Sequence, residues 1–293
     1  MKNLVLPSIM ACLLFAACSN QPENNPPSEA PAATAKVPSL KLKWQTDTLM
    51  TTSESVIFDP VSNFIYVSNI NGQPWDQDGN GFISKLDLDG KIVERQWITG
   101  LSAPKGLGVH NGHLFVNDNA DIVDIDIAAG KIVKRHTIGG TKQLNDITIA
   151  PDGTVYASTS DDFRVVSLKG DAVSTILDSL DGPNGLLVDG DKFLMLLWNP
   201  KTLNMVDVAK GTHSVFAQGL DNPDGVEAVG DGGYFVSSWQ GILHYVSPDG
   251  QVHKLLDTSA EKVSSADIEY VPEKKLLIVP TFFDNRVMAY EVL

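Results

Sequence analysis

A short motif that returns about every 40 residues constrains this chain more than any other feature. Gly182-Pro183-Asn184-Gly185-Leu186 recurs as Asn222-Pro223-Asp224-Gly225-Val226, and earlier copies stand at Gln143-Leu144-Asn145-Asp146-Ile147 and Ala103-Pro104-Lys105-Gly106-Leu107. Each copy places a polar residue beside a turn-forming one and then runs into apolar sequence. Six units can be laid out, beginning at Glu54, Lys105, Asn145, Asn184, Asp224 and Ala266, with starts 51, 40, 39, 40 and 42 residues apart. A fixed period of this length marks a repeat architecture.

Each unit follows one recipe of four short strands. The third unit shows it as Ile147–Ile149, a Pro151-Asp152-Gly153 turn, Val155–Ala157, Arg164–Leu168 and Ala172–Leu177. Asp-Gly pairs supply the positive φ that tight hairpins need. Four strands per repeat with no helical period between them predict an all-β fold, a six-bladed β-propeller of four-stranded blades. The last unit, Ala266 to Leu293, has room for three strands. The Leu42–Leu49 segment is expected to supply its outermost strand, which closes the ring and removes an open edge.

In a propeller the first strand of every blade lines a central channel, and all six start at one end. Their opening residues therefore ring one mouth: Glu54, Lys105, Asn145, Asn184, Asp224 and Ala266. Two carboxylates and two carboxamides, with no thiol or imidazole, suit a hard cation. Ca²⁺ is the first expectation for Glu54, Asn145, Asn184 and Asp224, with Zn²⁺, Mn²⁺ or Mg²⁺ as alternatives. A lysine ammonium about 6 Å from such an ion would be repelled by about 5 kcal/mol at an effective dielectric near 20. Lys105 must therefore turn away, neutralise Glu54 or Asp224 in place of a metal, or lose its proton and act as a base.

Other candidates are weaker. Asp76, Asp78, Asn80 and Asp87 match the ligand spacing of an EF-hand loop, but Phe82–Leu88 alternates as a strand and no helix precedes Asp76. An acidic loop that lengthens the first unit is the preferred reading, and a secondary cation site is the alternative. His110-Asn111-Gly112-His113 reads as a hairpin turn between two histidines. Trp75, Trp198, Trp239 and the Phe282-Phe283 pair either line a pocket or pack.

The N-terminus reads as a leader. Residues 1–17 form a basic start and an apolar run too short to span a bilayer, as in a lipoprotein signal peptide. Leu14-Phe15-Ala16-Ala17-Cys18 resembles a bacterial lipobox, which makes Cys18 the expected lipidation site. Residues 18–39, rich in proline, asparagine and alanine, predict a disordered tether, and 40–293 the propeller. The chain has two cysteines, Cys12 and Cys18, so the propeller is expected to hold no disulfide. The expected place is the bacterial cell envelope, lipid-anchored at the outer membrane rather than the inner, with no other membrane contact. A formal charge of −14 repels phosphate backbones and argues against nucleic acid. There is no phosphate-binding glycine loop and no Gly-x-Ser-x-Gly elbow.

From about residue 50 to 290 the chain resembles the senescence-marker-protein, gluconolactonase and luciferin-regenerating-enzyme-like family. The resemblance rests on Ser53-Glu54-Ser55-Val56 with Phe64–Ile70, Asn145-Asp146 with Pro151-Asp152-Gly153, Pro183-Asn184-Gly185-Leu186 and Pro223-Asp224-Gly225-Val226, in order and at blade spacing. It implies a six-bladed propeller with a divalent metal in its channel, held by Glu54, Asn184 and Asp224. Asn145 would be a further ligand or a contact to metal-bound water and substrate. Members include lactonases, and the related paraoxonases are lactonases and esterases. Two departures stand out. Gln143 replaces an arginine frequent in sugar lactonases, and Lys105 stands where paraoxonases carry histidine. The expected function is a monomeric, Ca²⁺-dependent hydrolase of a small lactone or ester, with Asp224 as base and Lys105 acting near the substrate. A binding protein without turnover and a scaffold with a structural ion are the alternatives.

Overall fold

The computed structural model describes residues 1–2 and 36–293. The leader beyond Lys2, Cys18 and the tether through Ala35 lie outside the described residues. Residues 36–293 form one compact unit, built of six four-stranded antiparallel sheets. Blade one comprises Ser53–Asp59, Phe64–Asn69, Gly81–Leu86 and Ile92–Leu101, and blade two Pro104–His110, His113–Asp118, Asp121–Asp126 and Lys131–Thr137. Blade three is Leu144–Ile149, Val155–Thr159, Val165–Lys169 and Ala172–Leu177, and blade four Pro183–Asp189, Lys192–Leu197, Thr202–Asp207 and Thr212–Gln218. Blade five is Pro223–Ala228, Tyr234–Ser238, Ile242–Val246 and Val252–Asp257. Blade six joins Glu269–Val271, Leu276–Pro280 and Val287–Val292 to the N-terminal strand Leu40–Gln45.

Sequence and burial agree along each blade. Second strands are covered on both faces and read as near-continuous apolar runs, as in Phe193–Leu197. Outermost strands are largely solvated, so Ala172–Leu177 is built mostly of small polar and β-branched residues. The cores lie between blades. Leu196 and Leu203 of blade four, for example, pack with Tyr234 and Val236 of blade five. The hairpin at His110–His113 forms as expected, with Asn111 at φ 50° and Gly112 at φ 79°.

Ring closure also forms as expected, in a shorter strand. Leu40 pairs with Val292 and Leu42 with Tyr290. The strand ends at Gln45 rather than Leu49, because the chain then crosses to blade one. Met50, whose N–H donates to the Asn285 carbonyl at 3.1 Å, is buried between blades six and one.

Candidate active site

The residues of the mouth share one backbone device. In blades one to five the inner strand slips register just inside its start, between Ser53 and Val56, Pro104 and Leu107, Leu144 and Ile147, Pro183 and Leu186, and Pro223 and Val226. Glu54, Lys105, Asn145, Asn184 and Asp224 are each the first residue inside that bulge. A bulge bends its strand and re-aims a side chain, and here five of them converge on one cavity of about 350 Å³. Glycine often follows because the next blade passes close. A Cβ on Gly106 would lie 2.6 Å from Asp146 Cα and Ile147 N, and one on Gly185 would collide with the Asp224 carbonyl.

The sixth position keeps the ring register but brings no polar group. Ala266 donates its N–H to the Pro280 carbonyl at 3.1 Å, and Glu269 pairs with Ile278. Asp267 matches Asp146, the second bulge residue of blade three, since Gly225 faces Asp267 and Ile268 as Gly106 faces Asp146 and Ile147. Ala266 is fully buried against Ile70, Ala103 and Phe282. The Asp267 carboxylate accepts from Ser55 Oγ at 2.7 Å. With Asp146, Glu227 and Glu269 it lines a second cavity, deeper in the channel. Burial pushes all four carboxyls up, Asp146 and Glu269 to about 8.

Within the mouth the polar groups form two connected sets. Asn145 Nδ2 donates to Asn184 Oδ1 at 2.8 Å, and Asn184 Nδ2 donates to Asp224 Oδ1 at 2.8 Å. Lys105 Nζ lies 3.3 Å from Glu54 Oε1, with both side chains buried. Lys105 therefore does not turn away; its Nζ faces the carboxylate that a cation would also use. Its ammonium also lies 4.3 Å from the Trp75 ring centroid, a favourable cation–π contact.

The donor set fits a hard cation. Among the described residues Glu54 Oε2 is buried with no hydrogen-bond partner, a costly state for a carboxylate oxygen. Burial pushes the Glu54 carboxyl up against the pull of Lys105. Burial, then the Glu54 charge, pushes Asp224 to about 7. A cation would relieve both strains. Among the described residues no three His, Cys, Asp or Glu side chains group closely enough to hold a metal. A cation would therefore depend on the Asn145 and Asn184 carboxamides beside Glu54 and Asp224. The second cation loop does not assemble. Asp76 and Asp78 cap their own loop, accepting from the Gln73 and Asn80 amides, whereas Asp87 accepts from the Asp89 and Lys91 amides beyond the far end of Gly81–Leu86.

Above the polar floor stand aromatic walls. Trp75, Phe163, Trp198, Trp239 and Phe282 all line the cavity. Each sits in the loop between the second and third strands of its blade. That loop lies at the end where the inner strand begins, so topology brings them to the same mouth. Phe283 is half-exposed beside Phe282.

A set of supporting residues escaped the sequence reading. Ser68, Ser158 and Ser237 on second strands each accept, at 2.8–3.0 Å, the N–H of the second bulge residue, Ser55, Asp146 and Gly225. Asn117 stands at the same place in blade two and donates to the carbonyls of Asn145 and Asp146. The signal was present, as a polar residue closing an otherwise apolar second strand. It gains meaning only once the bulge is known to leave backbone groups that need partners.

No family model and no curated protein matches the sequence. The fold is similar to that of a putative gluconolactonase, with a TM-score of 0.68 and 16% identity over 87% of this chain and 92% of that one. It is similar to a gluconolactonase from Xanthomonas campestris, described as important in glucose secondary metabolic pathways, with a TM-score of 0.69 and 16% identity over 90% and 98%. A chain of a nidogen–laminin complex is also similar, at 0.56 and 17% over 73% and 79%. The chain thus has the six-bladed propeller fold seen in these gluconolactonases.

Proposed function

We propose that the mouth is the active site of a divalent-cation-dependent hydrolase, Ca²⁺ first, acting on a small lactone or ester. The observation that carries this reading is the convergence of Glu54, Asn145, Asn184 and Asp224 on one cavity, with Glu54 Oε2 buried and unpartnered among the described residues. The gluconolactonase neighbours support it through fold alone. Glu54, Asn145, Asn184 and Asp224 would hold the ion, which when bound supplies Lewis-acid polarisation of a carbonyl.

The chain's own groups do the rest. Asp224 is the candidate base that takes a proton from the attacking water; its carboxyl, raised by burial in the cation-free protein, is drawn down when the ion binds. Water oxygen bonds to the acyl carbon, and the acyl C–O bond to the alkoxide breaks. Lys105, held by Glu54 at 3.3 Å, offers positive charge to the developing oxyanion and a proton to the departing alkoxide. Return of the proton from Asp224 to Lys105 resets the site. An anchor at Cys18 would hold this monomeric enzyme at the outer membrane.

The Lys105–Glu54 pair favours a second reading, a binding protein whose channel holds no cation. Hydrolysis of a panel of small lactones and esters, with and without chelator, separates the two. The hydrolase reading predicts turnover that chelation abolishes and Ca²⁺ restores. Thermal stabilisation by a lactone with no turnover supports the binding protein.

A further inference from the structure

We infer that the substrate of this site carries an apolar alkyl or aryl group, which the aromatic loops take, rather than the many hydroxyls of a sugar lactone. The chemistry rests on the hydrolase reading; the substrate class rests on the cavity walls. Five of the six loops between second and third strands each deliver one aromatic ring, Trp75, Phe163, Trp198, Trp239 and Phe282. The exception is the two-residue loop of blade two. There Asn119 Nδ2 donates to the Asp76 carbonyl at 3.1 Å, which braces the loop that carries Trp75.

Two of the rings are held at a backbone cost. Phe163 has φ 57° and Phe282 φ 52°, a left-handed conformation that bulky side chains avoid. Strain of this kind gathers at ligand sites. Phe282 is locked to the strand that bears Glu54, since its N–H donates to the Ser53 carbonyl at 3.1 Å. Its ring meets Trp239 edge-on, with centroids 5.8 Å apart. Phe163 leaves 43% of its surface exposed at the rim, free for a ligand to cover.

Polar groups do not match this wall. The charged and amide side chains lie on the floor, where an ester group would sit. Higher up the cavity offers Ser160 and Asn199, and the Asn199 amide already donates to Asp181 Oδ1 at 2.6 Å. Toward sugar hydroxyls the walls offer the indole N–H groups of Trp75, Trp198 and Trp239 as donors but few acceptors, so most hydroxyls there would lose water without regaining a full set of partners. A hydrocarbon chain loses nothing there and gains contact with the rings. Gln143, which stands where sugar lactonases often carry arginine, is not part of the lining.

The test uses the full-length protein and δ-lactones bearing straight alkyl chains from methyl to hexyl, with gluconolactone alongside. The matching lactams, which resist hydrolysis, are titrated by calorimetry. Both kcat/KM for the lactones and affinity for the lactams should rise about fourfold per methylene until the cavity fills. Phe163→Gly accepts the left-handed backbone without strain, so the fold survives loss of the ring. This variant and Trp198→Ala should each flatten both slopes. If no lactone turns over but lactam affinity still climbs, the hydrolase reading falls and the substrate-class assignment stands. Flat wild-type slopes overturn the assignment, as do slopes that survive both substitutions. So does gluconolactone outperforming the alkyl series.

Discussion

Lys105→Met removes the ammonium, which lies over the Trp75 ring, and keeps most of the buried stem. In the wild type Nζ lies 3.3 Å from Glu54 Oε1, a gross attraction of about 5 kcal/mol at an effective dielectric near 20. Desolvation of the lysine offsets part of that. Breaking one partner of a buried pair typically costs about 3–5 kcal/mol, because the other charge is stranded. Glu54 can limit the loss by taking a proton, since burial already pushes its carboxyl up and Lys105 pulls it down. The loss should therefore be small in mild acid and grow as pH rises above the variant's Glu54 pKa. Urea unfolding in chelator should show about 3–5 kcal/mol of destabilisation near pH 8. Added Ca²⁺ should recover much of it, because the variant no longer opposes a cation, and lactone turnover should be lost. Equal stability of variant and wild type in chelator near pH 8 would refute the buried pair.

Three further outcomes follow from the geometry. Asp224, Asp146 and Glu269 are pushed by burial to about 7, 8 and 8, so the folded state holds protons that the unfolded chain has released. Stability in chelator is then fully present below the ordinary carboxylate range and falls as pH rises through about 4 to 8; a melting temperature that climbs across that window contradicts the buried channel. Gly106→Ala sets a Cβ against the backbone of blade three and should cost about 1–3 kcal/mol in a denaturant titration; an unchanged midpoint would show that the blades are not in close contact there. Cys18→Ser should release the protein from membranes, and a wild type that never incorporates labelled fatty acid removes the lipid anchor.

The period, the strand count and the closing strand were legible because each depends on local signals: turn dipeptides, alternation and chain length. Five mouth residues were legible for the same reason, as Pro-Asn-Gly and its relatives mark the start of an inner strand. The sixth, Ala266, was less clear, because Ser265-Ala266-Asp267-Ile268 carries no glycine, and its methyl brings no polar group to the mouth. Trp75, Trp198, Trp239 and Phe282 were visible as rings that either line a pocket or pack, and Phe163 was missed. Trp75, Phe163 and Trp198 are far apart along the chain, and they meet only because every second-to-third loop returns to one end of the channel. Which way Lys105 turned was also beyond the sequence. It depends on the reach from blade two to Glu54 in blade one and on the rings of Trp75 and Phe282 around it.

The hydrolase chemistry depends on a cation at the mouth, which is read by calorimetric titration of Ca²⁺ into chelator-treated protein. One ion per chain is expected in the wild type, with loss of that ion in both Glu54→Gln and Asp224→Asn. Folding of the two variants is checked by their retained β-sheet circular dichroism. A wild type that takes up no Ca²⁺, Zn²⁺, Mn²⁺ or Mg²⁺, or that binds one equally well in both variants, contradicts it.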